Sequence, residues 1–196
     1  DTWPSQVANA LSGEVHNVLT QADGGTLTIG VLLAVYFASN GVESLRVQGG
    51  SNPGYNGQMA GGIDISNAAY SWVKDIQTGG SIGGMHIAIT GSYRVVVRDS
   101  YVHHSAGYGY ALDCYGVVVR CASSENLIEN NIVRYMNKPV MFNVSGGGNV
   151  VGYNYVDNAW AEGTWQETPV DCHCSFPHME LMEGNFASKM GASITH

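Results

Sequence analysis

Apolar and polar positions alternate along this chain in short runs, and the runs themselves recur. The clearest are Ile63-Asp64-Ile65, Ile87-Ala88-Ile89, Val118-Val119-Arg120, Met141-Phe142-Asn143 and Cys172-His173-Cys174. A period of two predicts half-buried strands. Alternation then assigns faces. Ile63, Ile65, Ile87, Ile89, Val118, Met141, Cys172 and Cys174 are expected to point inward, and Asp64, Ala88, Val119, Phe142 and His173 outward. His86, two residues before Ala88, is expected to face out with it. Earlier in the chain, Thr26–Ile29, Val31–Phe37 and Val42–Val47 read as strands, and a short helix is expected over 6–11. Residues 49–62 read as a long loop with Asn-Pro-Gly as its turn nucleus.

A second run follows each of these strands. The five segments are VKDIQT (73–78), VRDSYV (97–102), IENNIV (128–133), VGYNYV (151–156) and MEGNFA (182–187). Aligned on their fourth position, the anchors are Ile76, Ser100, Asn131, Asn154 and Asn185, spaced 24, 31, 23 and 31 residues apart. Each early strand opens 13 residues before its anchor. No 3.6-residue periodicity separates the strands, which argues against helical crossovers. Repeats of this length describe the rungs of a solenoid. The expected fold is all-β, a right-handed single-stranded parallel β-helix of about five to seven rungs. It occupies residues 1–196 as one domain or segment, irregular over 1–25 and regular over 62–187. The Asn anchors are expected where each rung bends, their amides bonded to one another and to backbone left unpaired by the bend.

The best-formed rungs, SENLIENNIVRY (124–135) and GGNVVGYNYVDN (147–158), resemble the right-handed parallel β-helix of the pectate-lyase-like superfamily. The order YSWVKDIQT, YRVVVRDSYVHH, SSENLIENNI and CHCSFPHMELMEGN is similar to the middle of longer bacterial β-helix proteins. The resemblance covers about residues 62–187 and implies a larger parent chain. Enzymes of the superfamily include polysaccharide lyases and glycoside hydrolases, alongside phage tailspikes. Pectate-lyase-like chemistry would imply a calcium-binding cluster of acids with an arginine base. Polygalacturonase-like chemistry would imply adjacent aspartates with a basic pair for the uronate. Neither pattern stands in this sequence.

Composition narrows the partners. Eight Lys and Arg face 16 Asp and Glu, for a formal charge of −8. That excludes a nucleic-acid footprint and adhesion to anionic lipid, and leaves neutral or basic glycans open. The apolar stretch 27–38 is too short to span a bilayer and reads as core strand. Cys114, Cys121, Cys172 and Cys174 match no four-cysteine zinc spacing. Buried thiols are favoured over a Cys114–Cys121 disulfide. Alternation keeps Cys172, His173 and Cys174 off a common face, so no metal is expected there. No cofactor is called for, with calcium left open. A start at Asp1 suggests a processed or excised segment, and no cap is evident at the C-terminal end.

Candidate chemistry follows from the faces. Asp75 and Asp99 align one rung apart, about 4.8 Å, near the lower end of the separation that paired glycosidase carboxyls need. The competing reading is that both cap a bend, as the Asn residues do. Glu129 and Arg98 join them in the outer columns, where Arg98 either binds substrate or pairs with Glu129. His103 is a candidate base near neutral pH. Asp171 and His173 share a strand face, with His178 and Glu180 able to complete a cluster. Tyr108, Tyr110, Trp160 and Trp165 in the loops are candidate sugar platforms. Together these point to an extracellular or cell-surface module, a virion surface included, that is structural or binds a polysaccharide. Self-association through open solenoid ends is the other expected contact. The alternative is a glycoside hydrolase or lyase acting through the outward acids.

Overall fold

The computed structural model describes residues 27–30, 38–49, 60–80, 82–107, 114–160 and 168–193. The expected helix at 6–11, the strand at 31–37, most of the 49–62 loop, and Tyr108, Tyr110 and Trp165 lie outside the described residues. The strands are β1 (Leu27–Gly30), β2 (Gly41–Gln48), β3 (Ala60–Ser66), β4 (Trp72–Gly79), β5 (Met85–Thr90), β6 (Val96–Arg98), β7 (Tyr101–His103), β8 (Tyr115–Arg120), β9 (Leu127–Glu129), β10 (Ile132–Met136), β11 (Lys138–Asn143), β12 (Val150–Gly152), β13 (Tyr155–Ala159), β14 (Val170–His173), β15 (Leu181–Glu183), β16 (Phe186–Ala187) and β17 (Met190–Ser193). The named strand pairs are parallel, and they form two sheets. The first runs β1-β3-β5-β8-β11-β14-β17, one strand per rung. The second is bent, with β6, β9, β12 and β15 on one leg and β7, β10, β13 and β16 on the other. Strands β2 and β4 run through the bend and join the legs. The chain is a right-handed parallel β-helix solenoid.

Each full rung turns where one residue takes a left-handed backbone. Four columns of such residues run along the solenoid. They are Asn67, Gly91, Cys121, Val144 and Cys174; Ser39, Tyr70, Arg94, Glu125, Gly148 and Met179; Ser44, Asp75, Asp99, Asn130, Tyr153 and Gly184; and Gly80, His104, Tyr135 and Asn158. For residues other than Gly, Asn and Asp this backbone is costly, so packing and hydrogen bonds must hold it. The alternating rung length has a simple source. The longer rungs carry extra residues between the fourth column and the first sheet, as 104–115 does against 80–85.

The core is built from like residues stacked rung on rung. Ile63, Ile87, Val117, Val140 and Val170 make one column, and Ile65, Ile89, Val119, Phe142 and Cys172 the next. On the bent sheet Val42, Val73, Val97, Ile128 and Val151 make a third. Two of the faces expected from sequence are therefore exchanged. Val119 and Phe142 point into the core, whereas Val118 and Met141 lie in the outer column with Ala88, in a separate buried cluster with Met85. Cys172 packs against the core as expected, and His173 has the opposite orientation along the strand. Cys174 does not point inward from the strand, because it follows β14 and occupies a left-handed bend. All four cysteines are free thiols, with Cys114 buried and Cys121 exposed. Burial, then the nearby Glu180 and Asp171, push the Cys172 thiol up to about 11. At neutral pH the reactive thiolate is scarce. Thiol labelling of the native protein should therefore be slow at Cys172 and fast at Cys121, as read by mass spectrometry.

His86 also departs from the alternation. The pairing of β3 with β5 shifts register between Ala60 and Ile63. His86 is fully buried, with Nδ1 3.0 Å from the hydroxyl of the buried Thr78.

Side-chain ladders replace the backbone bonds that the bends remove. Asn131 Oδ1 accepts from Ser100 N at 3.0 Å, Asn154 Oδ1 from Asn131 N at 2.9 Å, and Asn185 Oδ1 from Asn154 N at 2.9 Å. The amide groups also bond along the column, Asn131 Nδ2 donating to Asn154 Oδ1 and Asn154 Nδ2 to Asn185 Oδ1, each at 3.0 Å. Ser100 continues the ladder, its hydroxyl accepting from Ile76 N at 3.3 Å. A second ladder runs at the preceding turn. Asn126 Oδ1 accepts from Val95 N and Asn149 Oδ1 from Asn126 N, while Glu180 accepts from Asn149 N. Glu180 thus stands where an amide stands in the rungs before it. Burial raises its carboxyl above the ordinary range, against the hydrogen bonds from Asn149 and Ser145. A carboxyl raised on folding contributes stability that is complete below the unfolded pKa and lost as pH rises through the folded one. Both Glu180 oxygens accept from Asn149, so Glu180→Gln keeps one acceptor and should lower the urea midpoint, by most near pH 4 and by less at pH 7, where wild type has lost its own contribution.

Candidate functional site

The bend between the legs of the second sheet makes the site. Each rung contributes three consecutive residues there. The first is the left-handed residue of the column running from Ser44 through Asp75, Asp99 and Asn130 to Tyr153 and Gly184. The second is the inward anchor. The third opens the next leg, giving the column Arg46, Gln77, Tyr101, Ile132, Tyr155 and Phe186. An open groove of about 830 Å³ runs along the bend, lined from Ser44–Arg46 through Asp75–Gln77, Asp99–Tyr101 and Asn130–Ile132 to Tyr153 and Tyr155. Its polar wall is acidic toward the N-terminal rungs. Its other wall becomes apolar toward the C-terminal rungs, where Ile132 is 45% exposed; across the groove Tyr153, 63% exposed, continues the first column. Beyond them Tyr155 stacks on Phe186, centroids 4.7 Å apart and planes 1° from parallel.

The two carboxylates stand where alignment places them. Lys74 pairs with Arg98, so Asp75 and Asp99 are neighbours across one rung step. Each is tied to the bend. Ser44 Oγ donates to Asp75 Oδ2 at 3.0 Å. Asn130 Nδ2 donates to Asp99 Oδ1 at 2.6 Å and Arg98 Nε to Asp99 Oδ2 at 2.8 Å. The Asn130 amide first, then Arg98 and Lys74, hold the Asp99 carboxyl below the usual carboxylate range, against a smaller effect of burial. A glycosidase acid needs the reverse, a carboxyl raised so that it keeps its proton. Asp99 is built to stay ionised and accept hydrogen bonds. Arg98 is taken up by pairs with Asp99 and, at 3.1 Å, with Glu129.

Against this geometry the comparisons are brief and decisive for the fold. A family model described as "Right handed beta helix region" matches residues 34–173, well over half of the chain. The chain belongs to the right-handed β-helix family. No curated protein and no solved structure matches it.

The remaining candidate residues of this β-helix that the structure describes fall outside the groove. His103 lies two residues beyond Tyr101 on the same strand and stacks on it, centroids 4.0 Å apart. Its Nδ1 is 2.7 Å from Nδ1 of His104, and its Nε2 is 2.8 Å from Gln77 Nε2. Trp160 is 39% exposed and is not among the lining residues. Asp171 and His173 do come together, Nδ1 to Oδ2 at 3.3 Å, but Asp171 is wholly buried rather than a surface acid. Its Oδ2 also meets Lys138 Nζ at 2.8 Å, a buried ion pair on the outer side of the first sheet. His178 and Glu180 do not complete that cluster, since His178 Nδ1 meets Phe176 O and Glu180 caps the second ladder. Among the described residues, no group of three or more His, Cys, Asp or Glu side chains could hold a metal ion.

The groove's second wall is what the sequence reading missed. Arg46, Gln77, Tyr101, Ile132, Tyr155 and Phe186 follow directly after the bend anchors. The alignment that found the anchors contains that column. Its signal is an exposed aromatic or long side chain at one fixed offset, rung after rung.

Proposed function

We propose that this β-helix is an extracellular carbohydrate-binding module whose ligand lies in the bend groove. The observation that carries this reading is the pairing of two columns across the groove. One offers carboxylate, amide and hydroxyl groups that can bond to sugar hydroxyls. The other offers Tyr101, Ile132 and Tyr155 as apolar surface for the C–H faces of sugar rings. Mostly apolar walls with a few placed polar groups are the usual makeup of a small-ligand site, and about 300–1,000 Å³ is its usual size. The acids favour neutral or basic glycans over uronates. Hydrolysis through Asp75 and Asp99 is the weaker reading, because both carboxyls are taken up in the bonding of the bend. Self-association through the solenoid ends is a further contact this reading allows.

The test is a glycan array followed by titration calorimetry on the strongest hit. Tyr155→Ala should weaken binding by about 1–3 kcal/mol, taking the loss of a large aromatic contact at the upper end of its burial value. Asp99→Asn should weaken it less and leave the fold intact. Reducing-sugar release should stay at background for wild type. Release that disappears in Asp99→Asn would instead establish the hydrolase reading.

A further inference from the structure

We propose that Lys138 and Asp171 condense to an intramolecular isopeptide bond, with His173 as the proton relay, so that β11 and β14 become covalently joined. Lys138 Nζ donates to Asp171 Oδ2 at 2.8 Å, and His173 Nδ1 lies 3.3 Å from the same oxygen. An amine, a carboxyl and an imidazole thus converge on one atom. The bond does not depend on the glycan reading, because these groups lie on the first sheet and outside the bend groove.

The stacking of rungs supplies the arrangement. Parallel register sets Asp171 beside Met141 on the adjacent strand, and Met141 beside Val118. Both apolar residues belong to the buried outer cluster, and Tyr115, the register partner of Lys138, packs against it. Asp171 is wholly buried and Lys138 is 7% exposed. Burial penalises an ionised pair and spares a neutral one. An amide keeps the contact between the two strands and carries no charge. The fold also holds the amine against the carboxyl, which removes the entropy cost of bringing two reactants together.

The step balances within the three side chains. One Nζ proton passes along the existing hydrogen bond to Oδ2, leaving a neutral amine and a carboxylic acid. The Nζ lone pair then attacks Cγ and the C–N bond forms. His173, as the Nε2–H tautomer, carries a lone pair on Nδ1. It takes a second Nζ proton there and returns it to Oδ2, which leaves as water when the Cγ–Oδ2 bond breaks. The third Nζ proton stays on the amide nitrogen. Nothing is oxidised or reduced. The His173 side chain is 19% exposed, against none for Asp171, and marks the side on which the water leaves.

The test is intact mass spectrometry of the purified chain after thiol reduction. Wild type should weigh one water less than its sequence. Cleavage after glutamate, at Glu162 and Glu167 among others, separates Lys138 from Asp171 along the chain. A single peptide that still joins them after that digestion in denaturant identifies the bond. Lys138→Arg keeps the ion pair without the condensing amine and should have its full sequence mass. A cyclic imide at an aspartate would lose water in both chains, so this variant tells the two apart. His173→Gln should slow amide formation by ~10²-fold or more, as loss of a positioned acid–base group does. That is read as full-mass chain persisting through a time course of cell-free synthesis. Circular dichroism confirms that both variants are folded. Wild type at full mass, or water loss unchanged in Lys138→Arg, would overturn the proposal and leave an ion pair. Amide formation at the wild-type rate in His173→Gln would overturn the relay.

Discussion

Asn154→Ala should lower the free energy of unfolding by about 3 kcal/mol, the largest loss expected from any single amide in this solenoid. Its Oδ1 accepts from both Asn131 N and Asn131 Nδ2, at 2.9 and 3.0 Å. Its Nδ2 donates to Ile128 O and Gly152 O, both at 2.9 Å, and to Asn185 Oδ1 at 3.0 Å. Alanine removes all five bonds and leaves buried donors of Asn131 without an acceptor. Each buried group so stranded costs roughly 1–3 kcal/mol. Ser100→Ala, where the hydroxyl serves only Ile76 N and Arg98 O, should cost less. Urea unfolding followed by circular dichroism measures both. An Asn154→Ala midpoint equal to wild type would mean that the ladder does not hold the bend.

The second large effect is acid destabilisation through His86. The ring is fully buried, and burial first, with His103 adding to it, lowers its pKa from 6.5 to about 3. Above about pH 6.5 the imidazole is neutral in both the folded and unfolded chain, and this residue gives no pH dependence. Below that value the unfolded chain takes up a proton that the folded chain cannot accept. Stability therefore falls as pH drops from 6.5 toward 3, by up to about 1.4 kcal/mol per pH unit. Asp99 and Glu125, both held low by their partners, add a loss in the same direction only at lower pH. Between pH 6.5 and 5 the slope comes mainly from His86, with His103, also held low, adding to it and Glu180, held high, opposing it. The double variant Thr78→Val/His86→Leu removes both hydrogen-bonding partners together, which limits stranded polar groups. Its stability should be much flatter with pH across that window. A slope as steep as that of wild type would place the acid sensitivity elsewhere.

Legibility in the sequence depended on which kind of signal each rung carried. Ile63-Asp64-Ile65 alternates, and its faces come out as read, because a polar residue marks the outer side. Val117-Val118-Val119 and Val140-Met141-Phe142 are apolar throughout, since both faces of the first sheet are buried at these rungs. A continuous apolar run carries no phase, and the assignment there slipped by one residue. The polar column at the strand ends, Thr90, Arg120, Asn143 and His173, would have fixed the phase, because the strands pair in register along it. The bend was legible for the opposite reason. Asn131, Asn154 and Asn185 are polar residues at inward positions, and only a hydrogen-bonding role explains them there. His86 was not legible, because alternation alone puts it on the face of Ala88, while its partner Thr78 lies on another strand. Asp171 was misjudged as a surface acid because its partner Lys138 is 33 residues away in sequence.

The glycan reading rests on where a ligand sits, and backbone amide shift mapping by NMR during titration with the strongest array hit tests it most directly. The account predicts shifts concentrated at Ser44–Arg46, Asp75–Gln77, Asp99–Tyr101, Asn130–Ile132 and Tyr153–Tyr155, one cluster per rung along the groove. Saturable shifts confined to the first sheet, or no binding across the array, would contradict it.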